Sequence, residues 1–387
     1  RLPHLEKSTG IHLELTVLPS LRDVYEVIQS SGSGRYDLIR MDVAWMDELA
    51  KKLFRPLHQI PFDWDGLLAQ TLPEFGDSYT SVNGERICVP YDPSTQLMFY
   101  RRDLFCDPTY KRMYFEAYRR ELEVPKSFED YNRIAGFFTR SLNPASPVQY
   151  GTTVAIGNVV VSPSEFLPRL FEQGGKLFNA KGQITVDTPE ALAALKNYRE
   201  TYACSDRTVH DIWKNVLEGF ADGSAAMTVV FINYASHILN SKMSSIAGKL
   251  GFAPVPGGRP LSGGGVVGIT RSCAHPETAC AFLSWLYSNQ TAPAFTLLGG
   301  LSPCRSAYSN RDIKERYPWL SAARRSFPSA QRRSGSAYYS NFSELQMENI
   351  LAAYVQRAVL GVCTPEEALA QAQAEMDAHF TANSEFL

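Results

Sequence analysis

Aromatic side chains beside polar ones, at the ends of predicted strands, are the residues of this sequence best suited to bind a ligand. The stretch "YDLIRMDVAW" (36–45) begins like a buried strand and then places Arg40, Asp42 and Trp45 where the strand ends. The same combination recurs in three other places: Tyr91 with Asp92, Phe231 with Asn233 and Tyr234, and "SAYYSNF" (336–342) with Tyr338, Tyr339 and Phe342. Sugars present apolar C–H faces ringed by hydroxyls, so flat rings and carboxylates or amides bind them well. Each ring alone is more often a core residue, but their recurrence predicts a carbohydrate site.

Five apolar segments are predicted to be strands that position most of these side chains. They are "HLELTVL" (12–18), "YDLIRM" (36–41), "RICVPY" (86–91), "AAMTVVF" (225–231) and "VVGIT" (266–270). Helices are predicted to begin at the capping residues Ser127, Thr188 and Thr364. The alternation indicates an α/β architecture with mainly parallel strands. Open sheets of this kind bind ligands beyond the carboxyl ends of their strands.

Length and charge are those of an ordinary globular protein. At 387 residues the chain exceeds most single cores, which predicts two lobes. Lys plus Arg (38) nearly balances Asp plus Glu (40), so bulk charge favours no nucleic-acid contact. No apolar run approaches the roughly 20 residues that span a bilayer, and the first residues lack the apolar core of a signal peptide, so the chain as given is expected to be soluble.

"LPHLEKSTGI" is predicted to be the end of a helix that stops at Gly10, with a first strand missing upstream.

Cysteine and histidine patterns favour no metal centre and no cofactor. The seven cysteines are scattered without a C-x-x-C pair, which argues against a disulfide framework or a zinc site and favours a reducing compartment. The seven histidines are isolated, with no H-E-x-x-H motif.

Glycines before the last predicted strand match a nucleotide-binding motif only superficially. Gly263, Gly265 and Gly268 satisfy G-x-G-x-x-G, but they precede a strand, whereas the dinucleotide motif follows a strand and opens a helix. A flexible loop, or a close approach of the backbone to a ligand, explains Gly263, Gly264 and Gly265 better. A glycosidase pair such as Asp42 with Asp92 remains an alternative, because its geometry depends on the fold.

Six segments, in this order, carry a family resemblance. They are "YDLIRMDVAWMDELAKKLFRPL", "NGERICVPYDPSTQLMFYRRDLF", "DGSAAMTVVFINYASHI", "GGGVVGITRSCAHPETACAFLSWLYS", "LGGLSPCRSAY" and "LAAYVQRAVLGVCTPEEALAQAQAEM". The chain resembles family 1 extracellular solute-binding proteins, the sugar-capturing subunits of ABC importers, to which maltose-binding protein is distantly related.

The resemblance implies a fold and a division of the chain. The fold would be the α/β type II periplasmic-binding-protein fold, with two lobes, a hinge and an interlobe ligand cleft. The N-lobe would comprise 1–92 and 262–302, and the C-lobe 93–261 and 303–387. The resemblance implies that a set of strand-end, glycine and aromatic residues faces the sugar: Asp42, Trp45, Tyr91, Asp92, 231–234, 263–265 and 338–342. Ser164 and Glu165 would contribute from the C-lobe.

The resemblance also implies partners and a location. The chain would be a monomer that delivers a mono- or oligosaccharide to a membrane permease, as an extracytoplasmic lipoprotein. Its cysteine content suits an alternative, the cytoplasmic sugar-sensing domain of a regulator with an N-terminal winged-helix DNA-binding domain. If Trp45 stacks on the sugar, Trp45→Ala should abolish ligand-induced stabilisation with little effect on the unliganded protein. A large loss of stability would instead place Trp45 in the core.

Overall fold

A computed structural model describes the chain as two compact units. It covers residues 2–18, 21–31, 34, 36–157, 161–208, 213–239, 242, 244–331 and 338–384. Unit 1 consists of Arg1–Ser94 and Gly263–Ser321, and unit 2 of Thr95–Ser262 and Ala322–Leu387.

Residues 303–321, which the predicted boundaries assigned to the C-lobe, fall in unit 1. The amide of Leu72 donates to the carbonyl of Pro303 at 3.0 Å. Arg305 Nε donates to the carbonyl of Thr71 at 2.8 Å. These bonds join the segment to residues 71–72, which explains why it packs with unit 1.

Helices make up most of the regular structure. Those of the described residues are α1 (Leu2–Thr9), α2 (Leu21–Ser31), α3 (Lys51–Leu53), α4 (Trp64–Leu68), α5 (Asp77–Thr80), α6 (Arg102–Cys106), α7 (Pro108–Tyr118), α8 (Phe128–Phe137), α9 (Val161–Glu172), α10 (Pro189–Ala203), α11 (Trp213–Ala221), α12 (Ala235–Leu239), α13 (Pro276–Tyr287), α14 (Thr291–Leu297), α15 (Arg305–Ser309), α16 (Arg311–Arg316), α17 (Trp319–Ser326), α18 (Glu344–Val359) and α19 (Pro365–His379). The three predicted helix starts are confirmed. Ser127 and Thr188 accept bonds from backbone amides three residues on, and Thr364 forms a reciprocal capping box with Glu367. Within the described residues, no helix is both long and apolar enough to cross a membrane.

Strands are short and belong to small sheets. They are β1 (Leu38–Asp42), β2 (Ser81–Val82), β3 (Glu85–Arg86), β4 (Val89–Pro90), β5 (Ser94–Arg101), β6 (Tyr150–Thr152), β7 (Ala225–Phe231), β8 (Leu250–Pro254), β9 (Ser262–Gly263) and β10 (Gly265–Ile269). In unit 1 the order is β1-β10-β4, with β10 antiparallel to both neighbours. In unit 2 the order is β6-β7-β5-β8, and of these three pairings only β6 with β7 is parallel. The prediction of mainly parallel strands is therefore wrong for the described ladders.

One predicted strand does not form. Residues 11–18 join no ladder among the described residues, and Leu15 and Val17 are 68% and 77% exposed. Alternating apolar residues favour a strand, but a strand is stabilised only by pairing with a neighbour.

Each unit has its own hydrophobic core. In unit 1, Leu57, Trp64, Ile269 and Leu283 belong to one buried cluster beside the sheet. In unit 2, Phe105, Phe128, Phe138 and Met227 belong to another.

Candidate functional site

The ends of three segments meet at one edge of the unit 1 sheet. Asp42, the last residue of β1, is paired with Gly265, the first residue of β10. The amides of Tyr91 and Asp92, just after β4, donate to the carbonyl of Gly265 at 2.9 and 3.3 Å. The fold therefore gathers at one edge three of the segments that the sequence singled out.

An ion pair between Arg40 and Asp92 is central to this edge. Arg40 Nη2 lies 2.9 Å from Asp92 Oδ2 and 3.0 Å from Oδ1, and Nε lies 3.1 Å from Oδ1. The side chains are 28% and 26% exposed, so solvent or a ligand can reach both. A two-point arginine–carboxylate contact of this kind fixes both groups in orientation as well as in charge.

Burial and charge act in opposite directions on this pair. Burial raises the pKa of Asp92, and Asp42 adds to that rise, while Arg40 opposes it. Burial would lower the pKa of Arg40, but the Asp92 and Asp42 carboxylates outweigh it and raise the pKa. Arg40 therefore stays charged, and Asp92 depends on Arg40 as its counter-charge.

Asp42 has a structural task of its own. Its Oδ1 accepts from the amide of Ala44 at 3.0 Å and so caps the 3₁₀ turn Val43–Trp45. A π-helical turn, Met46–Ala50, follows at once. The side-chain hydrogen bonds of Arg40 go to Asp92, and Asp42 acts on Arg40 through its charge.

Gly264 and Gly265 are required by close packing around this ion pair. Gly264 has a φ of +89°, and a Cβ there would lie 2.1 Å from the carbonyl oxygen of Asp92. A Cβ on Gly265 would lie 2.3 Å from Arg40 Nε and 2.5 Å from Asp92 Oδ1. The close approach allowed by these glycines is to the chain's own backbone and ion pair.

Gly264→Ala should lower the free energy of unfolding by about 2–4 kcal/mol, because a left-handed φ and a clash with a backbone carbonyl act together. Gly299→Ala is the matched control. Gly299 has a φ of +98° but would place its Cβ in open space, so only about 1–2 kcal/mol of backbone strain is expected there. Urea denaturation of both variants measures the difference; equal losses would contradict the steric explanation.

The aromatic residues of this edge differ in exposure. Trp45 is 6% exposed and packs edge-on against Tyr25, with ring centroids 5.3 Å apart. Stacking of the Trp45 indole on a sugar stays a prediction. Such stacking requires an exposed ring face, whereas the structure buries this ring. Tyr91 is half-buried, and its ring centroid lies 5.9 Å from that of Phe295. Burial raises the pKa of the Tyr91 hydroxyl, which keeps that hydroxyl protonated.

Ser164 and Glu165 lie in the core of unit 2. Ser164 is 1% exposed, and its carbonyl accepts from Gln96 Nε2 at 2.8 Å. Glu165 is 4% exposed; its Oε2 lies 2.8 Å from Arg169 Nη1, and its Oε1 accepts from the amide of Ala155 at 3.1 Å. Both carboxylate oxygens of Glu165 are thus engaged within the protein.

The remaining predicted residues form two groups in unit 2. Phe231 ends β7 and is 8% exposed, and Asn233 (exposed) and Tyr234 (half-buried) follow it in a 3₁₀ turn. The hydroxyls of Tyr338 and Tyr339 accept from Gln183 Nε2 and from the amide of Ile184, at 3.0 and 2.9 Å. Phe342, from the same predicted segment, packs against the rings of Phe178 and Phe380. Residues 336 and 337 of the same predicted segment lie outside the described residues.

Sequence reasoning missed several buried polar residues. Arg169, Gln96 and Tyr79 each bond to residues distant in the chain, and each is at most 2% exposed. No local pattern distinguishes them from surface residues of the same type. Across the described chain, no cluster of three or more side chains suited to a metal ion occurs.

A sequence profile described as "Bacterial extracellular solute-binding protein" matches residues 3–293. The chain belongs to this family. Members are non-catalytic solute-binding proteins of ABC importers and act outside the cytoplasm. The family assignment and the absence of enzyme activity, both predicted from the sequence, are confirmed by this membership.

Solved structures share the fold over nearly the whole chain. Maltose-bound MalE3 of T. maritima is 24% identical, covers 97% of this chain and 94% of its own, and has a TM-score of 0.79. A ribitol complex of a solute-binding protein from Agrobacterium radiobacter K84 is 20% identical, with the same coverage and TM-score. One from Agrobacterium vitis S4 with bound D-mannitol is 19% identical, covers 98% and 94%, and scores 0.76. These likenesses confirm the type II periplasmic-binding-protein fold.

Curated relatives have sequence identities similar to those of the solved structures. YcjN, a putative ABC transporter periplasmic-binding protein of Escherichia coli K12, is 27% identical over 176 residues, which is 46% of this chain and 34% of that protein. The chain thus aligns with only about a third of that relative. The probable amino-acid ABC transporter periplasmic-binding protein y4oP of Sinorhizobium fredii is 21% identical over 385 residues, covering 96% of this chain and 83% of its own.

Proposed function

We propose that this chain binds a carbohydrate or a related polyol and delivers it to an ABC permease. The observation that carries this proposal is the charge-balanced Arg40–Asp92 pair at the edge of the unit 1 sheet, beside Asp42 and the half-buried Tyr91. Ribitol, maltose and D-mannitol, bound by three proteins of the same fold, support it.

The chemistry of this edge suits hydroxyl groups. The contacts of Arg40 with Asp92 use Nε and Nη2, so Nη1 can donate to a ligand oxygen. Asp42 uses Oδ1 to cap Ala44, so Oδ2 can accept from a ligand hydroxyl. Hydroxyls both donate and accept, and a sugar therefore satisfies a cation and a carboxylate at once without adding charge. Tyr91 offers a ring edge and a protonated hydroxyl nearby.

An amino-acid ligand is the competing possibility, because the name of y4oP refers to amino acids. An α-carboxylate needs a cation that is not already neutralised, and Arg40 is held by Asp92 at two points. Binding a zwitterion here would require that contact to break. The paired arrangement thus favours a neutral ligand.

The unit 2 residues enter the proposal as predicted partners. Asn233 and Tyr234 offer an amide and a phenol to the ligand. A ligand that contacts both lobes only in a closed form would shift the population toward closure, which is the form that a permease would recognise. Attachment as a lipoprotein remains part of the proposal, and fractionation of cells that express the full gene would test it.

Thermal-shift screening tests the ligand class. Monosaccharides, oligosaccharides and sugar alcohols should raise the melting temperature, because a ligand that binds only the folded state stabilises it. Stabilisation by amino acids, polyamines or peptides but not by sugars would refute the proposal. Sustained release of reducing sugar from a glycan panel would refute the binding-only function.

Asp92→Asn should weaken sugar binding by at least about tenfold, because Arg40 loses its counter-charge and its fixed orientation. Asp65→Asn is the matched control: Asp65 contacts Arg86 at 2.6 Å in the same unit but is 86% exposed, so affinity should stay unchanged. Calorimetric titration with the best sugar from the screen gives both constants. Equal affinities in the two variants would exclude the Arg40–Asp92 pair from the binding site.

A further inference from the structure

We propose that Tyr79 is a positioning residue of the hinge, which ties together two of the passages of the chain between its units. The chain crosses from one unit to the other at 94–95, 262–263 and 321–322. The third passage lies inside α17, whereas the first two lie in the strands β5 and β9. This inference rests on the two-unit fold and not on the nature of the ligand.

The two extended passages are joined by the pairing of β9 with β5, and on the unit 1 side a buried hydroxyl also contacts both of them. Tyr79 is 2% exposed, and its hydroxyl lies 2.8 Å from the carbonyl oxygen of Gly263 and 3.4 Å from that of Ser94. Ser94 is the last residue of unit 1 before the first passage, and Gly263 is the first after the second. The hydroxyl donates to Gly263 and has the Ser94 carbonyl as a longer second contact, so it reinforces the β5–β9 pairing that keeps the two passages side by side.

On the unit 2 side, different side chains do the same for the same two passages. Thr95 Oγ1 donates to the carbonyl of Leu261 at 3.0 Å, and Gln96 Oε1 accepts from the Leu261 amide at 3.1 Å. Gln96 Nε2 donates to the carbonyl of Ser164 at 2.8 Å. Thr95 and Gln96 are at most 1% exposed, so these bonds are shielded from water.

The two sets of bonds confine where the chain can bend. Hinge motion is absorbed by a few residues whose φ and ψ change. Residues fixed by buried hydrogen bonds resist such changes, so rotation concentrates at the Ser94–Thr95 and Ser262–Gly263 links between the two sets. Tyr79 thereby sets how freely the unliganded protein samples different arrangements of its units.

Tyr79→Phe in the full chain tests this role, because it removes the hydroxyl and keeps the ring. Tyr317→Phe is the control: the Tyr317 hydroxyl donates to the carbonyl of Leu297 at 3.2 Å within unit 1 and contacts neither of the two extended passages. In small-angle scattering without ligand, Tyr79→Phe should give a broader pair-distance distribution than wild type, and Tyr317→Phe should not. Amide exchange in peptides 92–96 and 261–265 should be about fivefold faster in Tyr79→Phe alone, as expected for the loss of one hydrogen bond.

Scattering identical to wild type would overturn the proposal even if Tyr79→Phe melts earlier, since a merely structural hydroxyl affects stability without affecting the arrangement of the units. Thr95→Val, which removes the matching bond on the unit 2 side at constant shape, should give the same broadening and serves as a second test should Tyr79→Phe not fold. Neither measurement uses a ligand, so the outcome is independent of the carbohydrate proposal.

Discussion

Arg169→Met should lower the free energy of unfolding by about 3–5 kcal/mol, because it leaves the Glu165 carboxylate buried without its partner. The two side chains are 2% and 4% exposed. Arg169 also donates to Thr201 Oγ1 at 3.1 Å, and its guanidinium lies 4.2 Å from the centroid of the Phe128 ring. The substitution removes all of these contacts, and urea denaturation measures the loss.

Arg112→Met is the matched control for Arg169→Met. Arg112 pairs with Glu116 at the same i,i+4 spacing in the same unit, but at 3.8 Å and with both side chains more than half exposed. Its loss should change stability by only about 0–0.5 kcal/mol. A comparably small effect of Arg169→Met would show that Glu165 is not held by this pair and would return its carboxylate to the set of candidate ligand contacts.

Trp45→Ala should lower the free energy of unfolding by about 3–5 kcal/mol, because it empties a large buried volume. The indole is 6% exposed and packs on Tyr25, whose hydroxyl donates to Glu48 Oε1 at 3.0 Å. The loss would therefore extend to the contact between α2 and the turn after β1. Urea denaturation without ligand gives the value.

Trp45→Phe separates packing from ligand stacking. It keeps most of the buried volume, so it should cost much less than Trp45→Ala. If Trp45→Ala instead leaves unliganded stability nearly unchanged and abolishes the sugar-induced thermal shift, the stacking prediction holds and the core placement is wrong.

Local features of the fold were predictable from the sequence. The helix starts at Ser127, Thr188 and Thr364 are confirmed, because a cap depends on side chains within three or four residues. The strands near 38–42 and 225–231 are confirmed as well, since a short run of apolar and β-branched residues is itself the signal. The order of six sequence segments was enough to predict the family, and the profile match confirms that prediction.

Pairing and direction of strands were not predictable. "HLELTVL" has the alternation of a strand, yet residues 11–18 join no ladder in the described structure. The predicted strand direction was wrong because direction depends on how the connections return to a sheet, and hydrophobic periodicity carries no information about those connections.

The sequence alone was enough to predict the family, three helix starts, several strands and the position of Arg40, Asp42, Tyr91 and Asp92 near strand ends. The fold brings Arg40 into contact with Asp92, 52 residues away, and places Gly264 and Gly265 where they make room for that contact. It also decided that Trp45 and Glu165 are buried. The physical reason is that hydrogen-bond partners and burial depend on residues distant in the chain, whereas caps and hydrophobic runs are fixed by close neighbours.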